Sequence, residues 1–209
     1  MGSVAVQIMQ KKALNIRLPL RFRMIAFVAM IGLWCSVPAI SSDGDTQLWQ
    51  ALQSGNHIAL LRHAIAPGTG DPPEFALGQC ATQRTLSQEG RDQALKIGDR
   101  FREKGIHGAQ VFSSQWCRCL ETANLLKLGP VQELSALNSF FQNYERQTSQ
   151  TSVLVEWIEI QNLARPLVLV THQVNITALT GIYPESGELV IVHRSNTGDI
   201  RFIGTIKTR

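Results

Sequence analysis

No Asp or Glu occurs before Asp43 in this 209-residue chain, and that gap decides how its charge is read. Lys11, Lys12, Arg17, Arg21 and Arg23 stand alone in the acid-free stretch. Set apart, these five of the 20 basic residues leave 15 against 16 acidic ones, so the formal charge of +4 becomes about −1 for the remainder. The basic character therefore belongs to the first forty residues, and the remainder carries no nucleic-acid footprint. Charged residues make up only 17% of the chain and apolar ones 44%, which excludes a disordered or fibrous protein and suits a globular domain with an ordinary core. Cysteine is scarce, at four residues, and C-x-C at Cys117 and Cys119 with no second cluster is a poor zinc site. No other spacing of metal ligands is evident, so neither metal nor cofactor is expected.

A long apolar run is also missing. Met24 to Trp34 is too short for a bilayer, which takes roughly 20 residues. Basic residues precede that run, and Ser36, Val37 and Ala39 follow it, the order of a secretory signal with a small-x-small cleavage site. Residues 1–39 are read as a leader cut before Ile40, and residues 40–209 as the folded domain. The expected location is outside the cytoplasm, in the periplasm. The alternative is an uncleaved anchor, the one route by which this chain would meet a membrane. A lipoprotein signal at Cys35 is disfavoured by bulky Trp34 before it. In an oxidising compartment the remaining Cys80, Cys117 and Cys119 could pair, and the expected link runs from Cys80 to Cys117 or Cys119.

The mature segment alternates apolar strands with amphipathic helices. Thr46 to Gln53 reads as a short helix ended by Gly55-Asn56, and His57 to Leu61 as a buried strand. Ala66 to Gln83 is broken by Pro67, Gly68, Gly70, Pro72 and Pro73, and reads as a long loop or lid. Ser87 is a good N-cap for a helix carrying Ala94, Ile97 and Phe101, which Gly105 closes. Gln110 to Ser113 reads as a strand, Gln115 to Lys127 as a helix, and Val131 as part of a weaker strand. Val153, Leu154, Trp157, Ile160 and Leu163 mark a further helix. Leu167 to Thr171 forms the clearest strand, Val174 to Thr180 a helix, and Glu188 to His193 with Ile200 to Ile206 a hairpin. The pattern predicts an α/β fold, a three-layer sandwich with a mainly parallel central sheet.

Three segments each follow a predicted strand: Leu61-Arg62-His63-Ala64, Ser113 to Ala123 with Arg118 inside it, and Val170-Thr171-His172. The carboxyl ends of parallel strands share one edge, where ligands bind, so two His and two Arg should converge there. Those residue types suit phosphoryl transfer. Guanidinium forks bind phosphate oxygens bidentately and never deprotonate. Neutral imidazole is a covalent nucleophile, and neighbouring Arg cations keep it neutral.

L-R-H-A, S-S-x-x-x-R-x-x-x-T-A and V-T-H, in this order, resemble the histidine phosphatase superfamily, which includes the phosphoglycerate mutases. The likeness runs from about Ile58 to Val192 and implies a phosphoglycerate mutase-like fold. It makes His63 the nucleophile, Arg62 and Arg118 phosphate ligands, and His172 the second His at the phosphoryl group. It implies a metal-independent phosphomonoester phosphatase working through a phosphohistidine on a small phosphorylated substrate. The alternatives are a phosphomutase or a catalytically silent phosphate-binding module. Two departures stand out. Ser139 falls where the family's acid Glu would be, so Glu133 or Asp71 is expected to donate the proton, unless solvent does. The third motif reads Thr171-His172-Gln173 where the family commonly has Gly-His-Gly. His57, His107 and His193 are assigned no role, Trp116 is taken as packing with a rim contact to substrate as the alternative, Thr122 is taken as structural, and Asn175 is divided between helix start and pocket contact. Nothing in the pattern assigns an oligomeric state.

Overall fold

The computed structural model describes residues 43–208, so the leader and its cleavage site lie outside the described residues. Asp43–Gln53 (α1) leads into the six strands: His57–Arg62 (β1), Gln110–Ser113 (β2), Val131–Glu133 (β3), Leu167–Thr171 (β4), Leu189–Arg194 (β5) and Ile200–Ile206 (β6). Between them lie helices Gln88–Glu103 (α2), Cys117–Leu126 (α3), Gln147–Glu159 (α4) and Gln173–Thr180 (α5). The sheet runs β3-β2-β4-β1-β5-β6. β3, β2, β4 and β1 are mutually parallel, while β5 is antiparallel to β1 and pairs with β6 as a hairpin.

The two-residue period of the strands builds a core on each face. Ala59 and Leu61 of β1, Val168 and Val170 of β4, and Leu189 and Ile191 of β5 pack with Trp49, Leu52, Ile97, Phe101 and Leu126 from α1, α2 and α3. The alternate residues Ile58, Leu60, Leu167, Leu169, Val190 and Val192 pack with Leu154, Ile158 and Ile176 from α4 and α5. Both faces are therefore covered, which is why these strands read as unbroken apolar runs. All five side chains of β4 are buried. Truncating Leu169 at the centre of this sheet would cost about 2–5 kcal/mol.

Two expected details change. α4 ends at Glu159, and its buried residues are Gln150, Leu154 and Ile158, four apart on one face. Val153 and Ile160 of the anticipated apolar stripe lie outside that face, and Ile160 is 80% exposed. Leu163 is buried in the connection after the helix. α2, by contrast, keeps the expected cap, with the Ser87 hydroxyl accepting from the Gly90 N–H. Its Gly98 lies so close to the Leu126 carbonyl of α3 that a Cβ there would collide with backbone. Among the described residues no helix is long and apolar enough to cross a membrane.

Candidate active site

The ends of β1, β4 and β2 are adjacent in the sheet, and each releases one residue of the expected constellation. His63 follows β1, Arg118 lies in the first turn of α3 after β2, and His172 caps α5 directly after β4. All three are buried, and together with Arg62 they line one cavity of about 130 Å³. The rest of the wall includes Gly68, Gly70 and Asp71 from the lid, Arg84 beyond it, and Ser139.

His63 is held in one protonation pattern. Its Nδ1–H donates to the Ala64 carbonyl at 2.8 Å, and its Nε2 accepts from Nε–H of Arg118 at 3.2 Å. Burial, with the Arg118 cation second, lowers its pKa to about 3, so the ring is neutral with its lone pair on Nε2. His172 is also held neutral by burial and Arg118, well below the usual imidazole range. Its Nδ1 faces Nη2 of Arg118 at 3.3 Å, and a guanidinium can only donate. The ring proton is therefore on Nε2, directed to the Ser114 hydroxyl at 2.8 Å, which in turn donates to Oδ1 of Asn138 at 3.3 Å. This chain fixes the His172 ring from behind and leaves Nδ1 toward the cavity.

Arg118 spends its third nitrogen on Asp71, with Nη1 and Oδ1 2.7 Å apart in a pair that is almost wholly buried. The other Asp71 oxygen accepts from the Trp116 indole at 2.8 Å, and that indole stacks on Phe75 of the lid. Trp116 therefore does more than pack. Arg62 donates through Nη1 to the Pro184 carbonyl at 2.9 Å. Thr122 ties two motifs together, accepting from the Ala64 N–H and donating to the Arg118 carbonyl.

Arg84 was missed by sequence reasoning. It donates to the carbonyls of Ala66, Pro67, Gly68 and Gly70, clamping the lid into a turn around its own guanidinium at the cavity wall. Ser114 and Asn138, which orient His172, were likewise given no role, although Ser114 lies inside the second motif. A disulfide between Cys80 and Cys117 fastens the far end of the lid to the start of α3. Cys119 is free and buried, 3.5 Å from Nε2 of His172, and burial pushes its thiol up to about 12. Of the two expected pairings the structure takes the first.

Glu133 stands apart. It is exposed at the end of edge strand β3, accepts from the Gln115 side-chain amide at 3.1 Å, and does not line the cavity. The expectation of Glu133 as proton donor is corrected on this geometry; of the two carboxyl candidates, Asp71 is the one at the cavity. Asn175 donates to the Asn138 carbonyl and does not line the cavity either, while His57 and His193 pack against each other away from it. Among the described residues no cluster of three or more His, Cys, Asp or Glu could hold a metal ion.

Residues 58–153 match the model of the histidine phosphatase superfamily (branch 1), a span that includes Arg62, His63 and Arg118. No curated protein sequence matches the chain. Among solved structures, the protein histidine phosphatase SixA complexed with tungstate superposes with a TM-score of 0.53 at 13% identity, covering 73% of this chain and 97% of its own. A phosphoserine phosphatase from Entamoeba histolytica, in complex with phosphoserine, gives 0.52 at 15% identity over 73% and 98% of the two chains. A candidate alpha-ribazole-5'-P phosphatase from Escherichia coli gives 0.53 at 16% over 73% and 96%. At these identities the superpositions establish the fold. The family model thus matches the chain from β1 into α4, and the fold is the one shared by phosphoglycerate mutase-like histidine phosphatases.

Proposed function

We propose that this chain is an exported phosphomonoester phosphatase that turns over through a phosphohistidine at Nε2 of His63. The observation that carries the reading is the state of His63: a neutral ring, its Nδ1–H already committed, its lone pair directed at a guanidinium inside a cationic cavity. A phosphate ester places its outer oxygens on Arg62 and Arg118, with Arg84 adding charge from the lid side, and His172 holds it once a proton sits on Nδ1, after Arg118 has turned from that nitrogen to the phosphate. Preorganised donors of this kind stabilise charge as it develops in the transition state. Nε2 attacks phosphorus, an N–P bond forms as the ester P–O bond breaks, and the alcohol departs with a proton.

Asp71 is the group in the cavity suited to supply that proton. It is the one carboxyl group that lines the cavity among the described residues. In the second half, Asp71 accepts a proton from water as the water attacks phosphorus, the N–P bond breaks, and phosphate and neutral His63 are released. The positive charge comes from guanidinium groups, so no metal step is required. Export rests on the signal order of the leader. The Cys80–Cys117 disulfide supports it, because such bonds persist in oxidising compartments. Rapid alkaline quenching with a phosphomonoester, followed by peptide mapping, tests the chemistry. An acid-labile, alkali-stable phosphate on the His63 peptide is expected, and its absence during demonstrated turnover refutes the intermediate.

A further inference from the structure

The phosphate cavity opens into a second hollow at the same edge of the sheet. Phe141, Gln173, Val174 and Tyr183 line both, and Tyr144 and Gln147 continue the second. Its walls contain no Asp, Glu, Lys, Arg or His. Tyr183 is 73% exposed, Tyr144 56% and Phe141 37%, an unusual gathering of uncovered rings beside a polar cavity.

The rings are fixed relative to the phosphate ligands. Tyr183 precedes Pro184, whose carbonyl accepts from Arg62. The Gly187 N–H donates to the carbonyls of Arg62 and His63, and the Gln93 side chain holds the Ser186 carbonyl. On the other side, the Phe141 N–H donates to the hydroxyl of Ser139, which itself lines the phosphate cavity.

The charge count in the first cavity is equally specific. Arg62, Arg84 and Arg118 line it with Asp71 as the one carboxylate, and Asp71 is taken up by Arg118. The hollow beside it offers no cation to a second anionic group, and no unpaired carboxylate lines either for an ammonium group.

We propose that the aromatic hollow is the leaving-group subsite and accepts an uncharged ring, so that the substrate class is sugar phosphates. This inference rests on the phosphatase reading. The apolar C–H face of a sugar ring packs on an aromatic face, and its hydroxyls meet the side-chain amides of Gln147 and Gln173. A phosphoamino acid would bring an ammonium and a carboxylate, and a phosphoglycerate a carboxylate, against rings with no charged partner, at the cost of desolvating them.

The experiment separates binding from turnover. Calorimetric titration of the His63→Ala protein with glucose 6-phosphate, phosphoserine, 3-phosphoglycerate and inorganic phosphate gives affinities without hydrolysis. Glucose 6-phosphate is expected to bind about tenfold or more tighter than the two charged esters. Adding Tyr183→Ala is expected to lower the ratio of glucose 6-phosphate to inorganic phosphate affinity about tenfold. Equal or tighter binding of phosphoserine or 3-phosphoglycerate, or a ratio unmoved by Tyr183→Ala, overturns the subsite. Assays of the wild-type protein distinguish the two readings. Selective binding with no hydrolysis of any ester removes the phosphatase and keeps the subsite, whereas hydrolysis without selectivity does the reverse.

Discussion

Nε of Arg118 donates to Nε2 of His63 at 3.2 Å, so the cation meets the lone pair of the proposed nucleophile directly. The same guanidinium reaches Asp71 and His172, which makes Arg118 the hub of the site. Removing it should therefore cost transition-state charge stabilisation and the alignment of both histidines. Arg118→Ala is expected to lower kcat by about 10²-fold or more, the usual loss for one preorganised donor. His63→Ala is expected to abolish turnover, with His172→Ala closer to the Arg118 change. Steady-state kinetics on one phosphomonoester compare the three, and full activity in His63→Ala would contradict the mechanism.

Asp71 can be tested through the leaving group. A proton donor matters most when the departing alcohol is a poor leaving group. Asp71→Asn is expected to reduce kcat on alkyl phosphates about 10²-fold while sparing p-nitrophenyl phosphate, whose phenolate leaves unaided. An equal loss on both esters would instead mean that Asp71 only orients Arg118, through the ion pair it makes with that side chain.

The disulfide closes a loop with a sequence separation of 37 that contains α2 and β2, and it ties the far end of the lid to the start of α3. On the chain-entropy estimate, Cys80→Ser should destabilise the fold by about 3–4 kcal/mol. It should also loosen the lid that carries Asp71 and the turn clamped by Arg84. Thermal unfolding of the variant, and of wild type with and without reductant, measures this. An unchanged midpoint under full reduction would show that the crosslink contributes nothing.

The buried histidines set the pH response. His63 has a folded pKa of about 3, against 6.5 for the free side chain, and His172 is displaced in the same direction. The unfolded chain therefore binds more protons below pH 6.5, and stability falls as pH drops from there toward 3, by about 1.4 kcal/mol per pH unit for each such group. Above pH 7 neither group contributes a slope. Urea titrations between pH 4 and 8 should show this decline, and His63→Gln should make it shallower. A wild-type stability that stays level down to pH 4 would rule out buried neutral imidazoles.

Export is checked by amino-terminal sequencing of the protein recovered outside the cytoplasm. Val37-Pro38-Ala39 places the expected first residue at Ile40. A soluble cytosolic product retaining all 39 leader residues would refute it.

The sequence by itself determined the sheet and the meeting of its motifs. Leu167 to Val170 is apolar on both sides of a two-residue period, which specifies a strand buried between two layers. Once the strands are parallel, their carboxyl ends share an edge, so Arg62, His63, Arg118 and His172 converge although His172 lies far along the chain from His63. The lid followed a different logic. Its Gly and Pro residues excluded regular structure without specifying which side chains would point inward. Only the fold brought Asp71 onto Arg118, set Arg84 among the lid carbonyls and left Glu133 outside on an edge strand. The cysteines show the reason in miniature. Cys117 and Cys119 both lie in the first turn of α3, and two residues in a helix differ by roughly 200° in direction. Cys117 therefore meets Cys80 of the lid, while Cys119 is turned to His172 in the core. Periodicity is a local property that a chain displays along its length, but the partner of a loop side chain is chosen by whatever surface the rest of the fold presents to it.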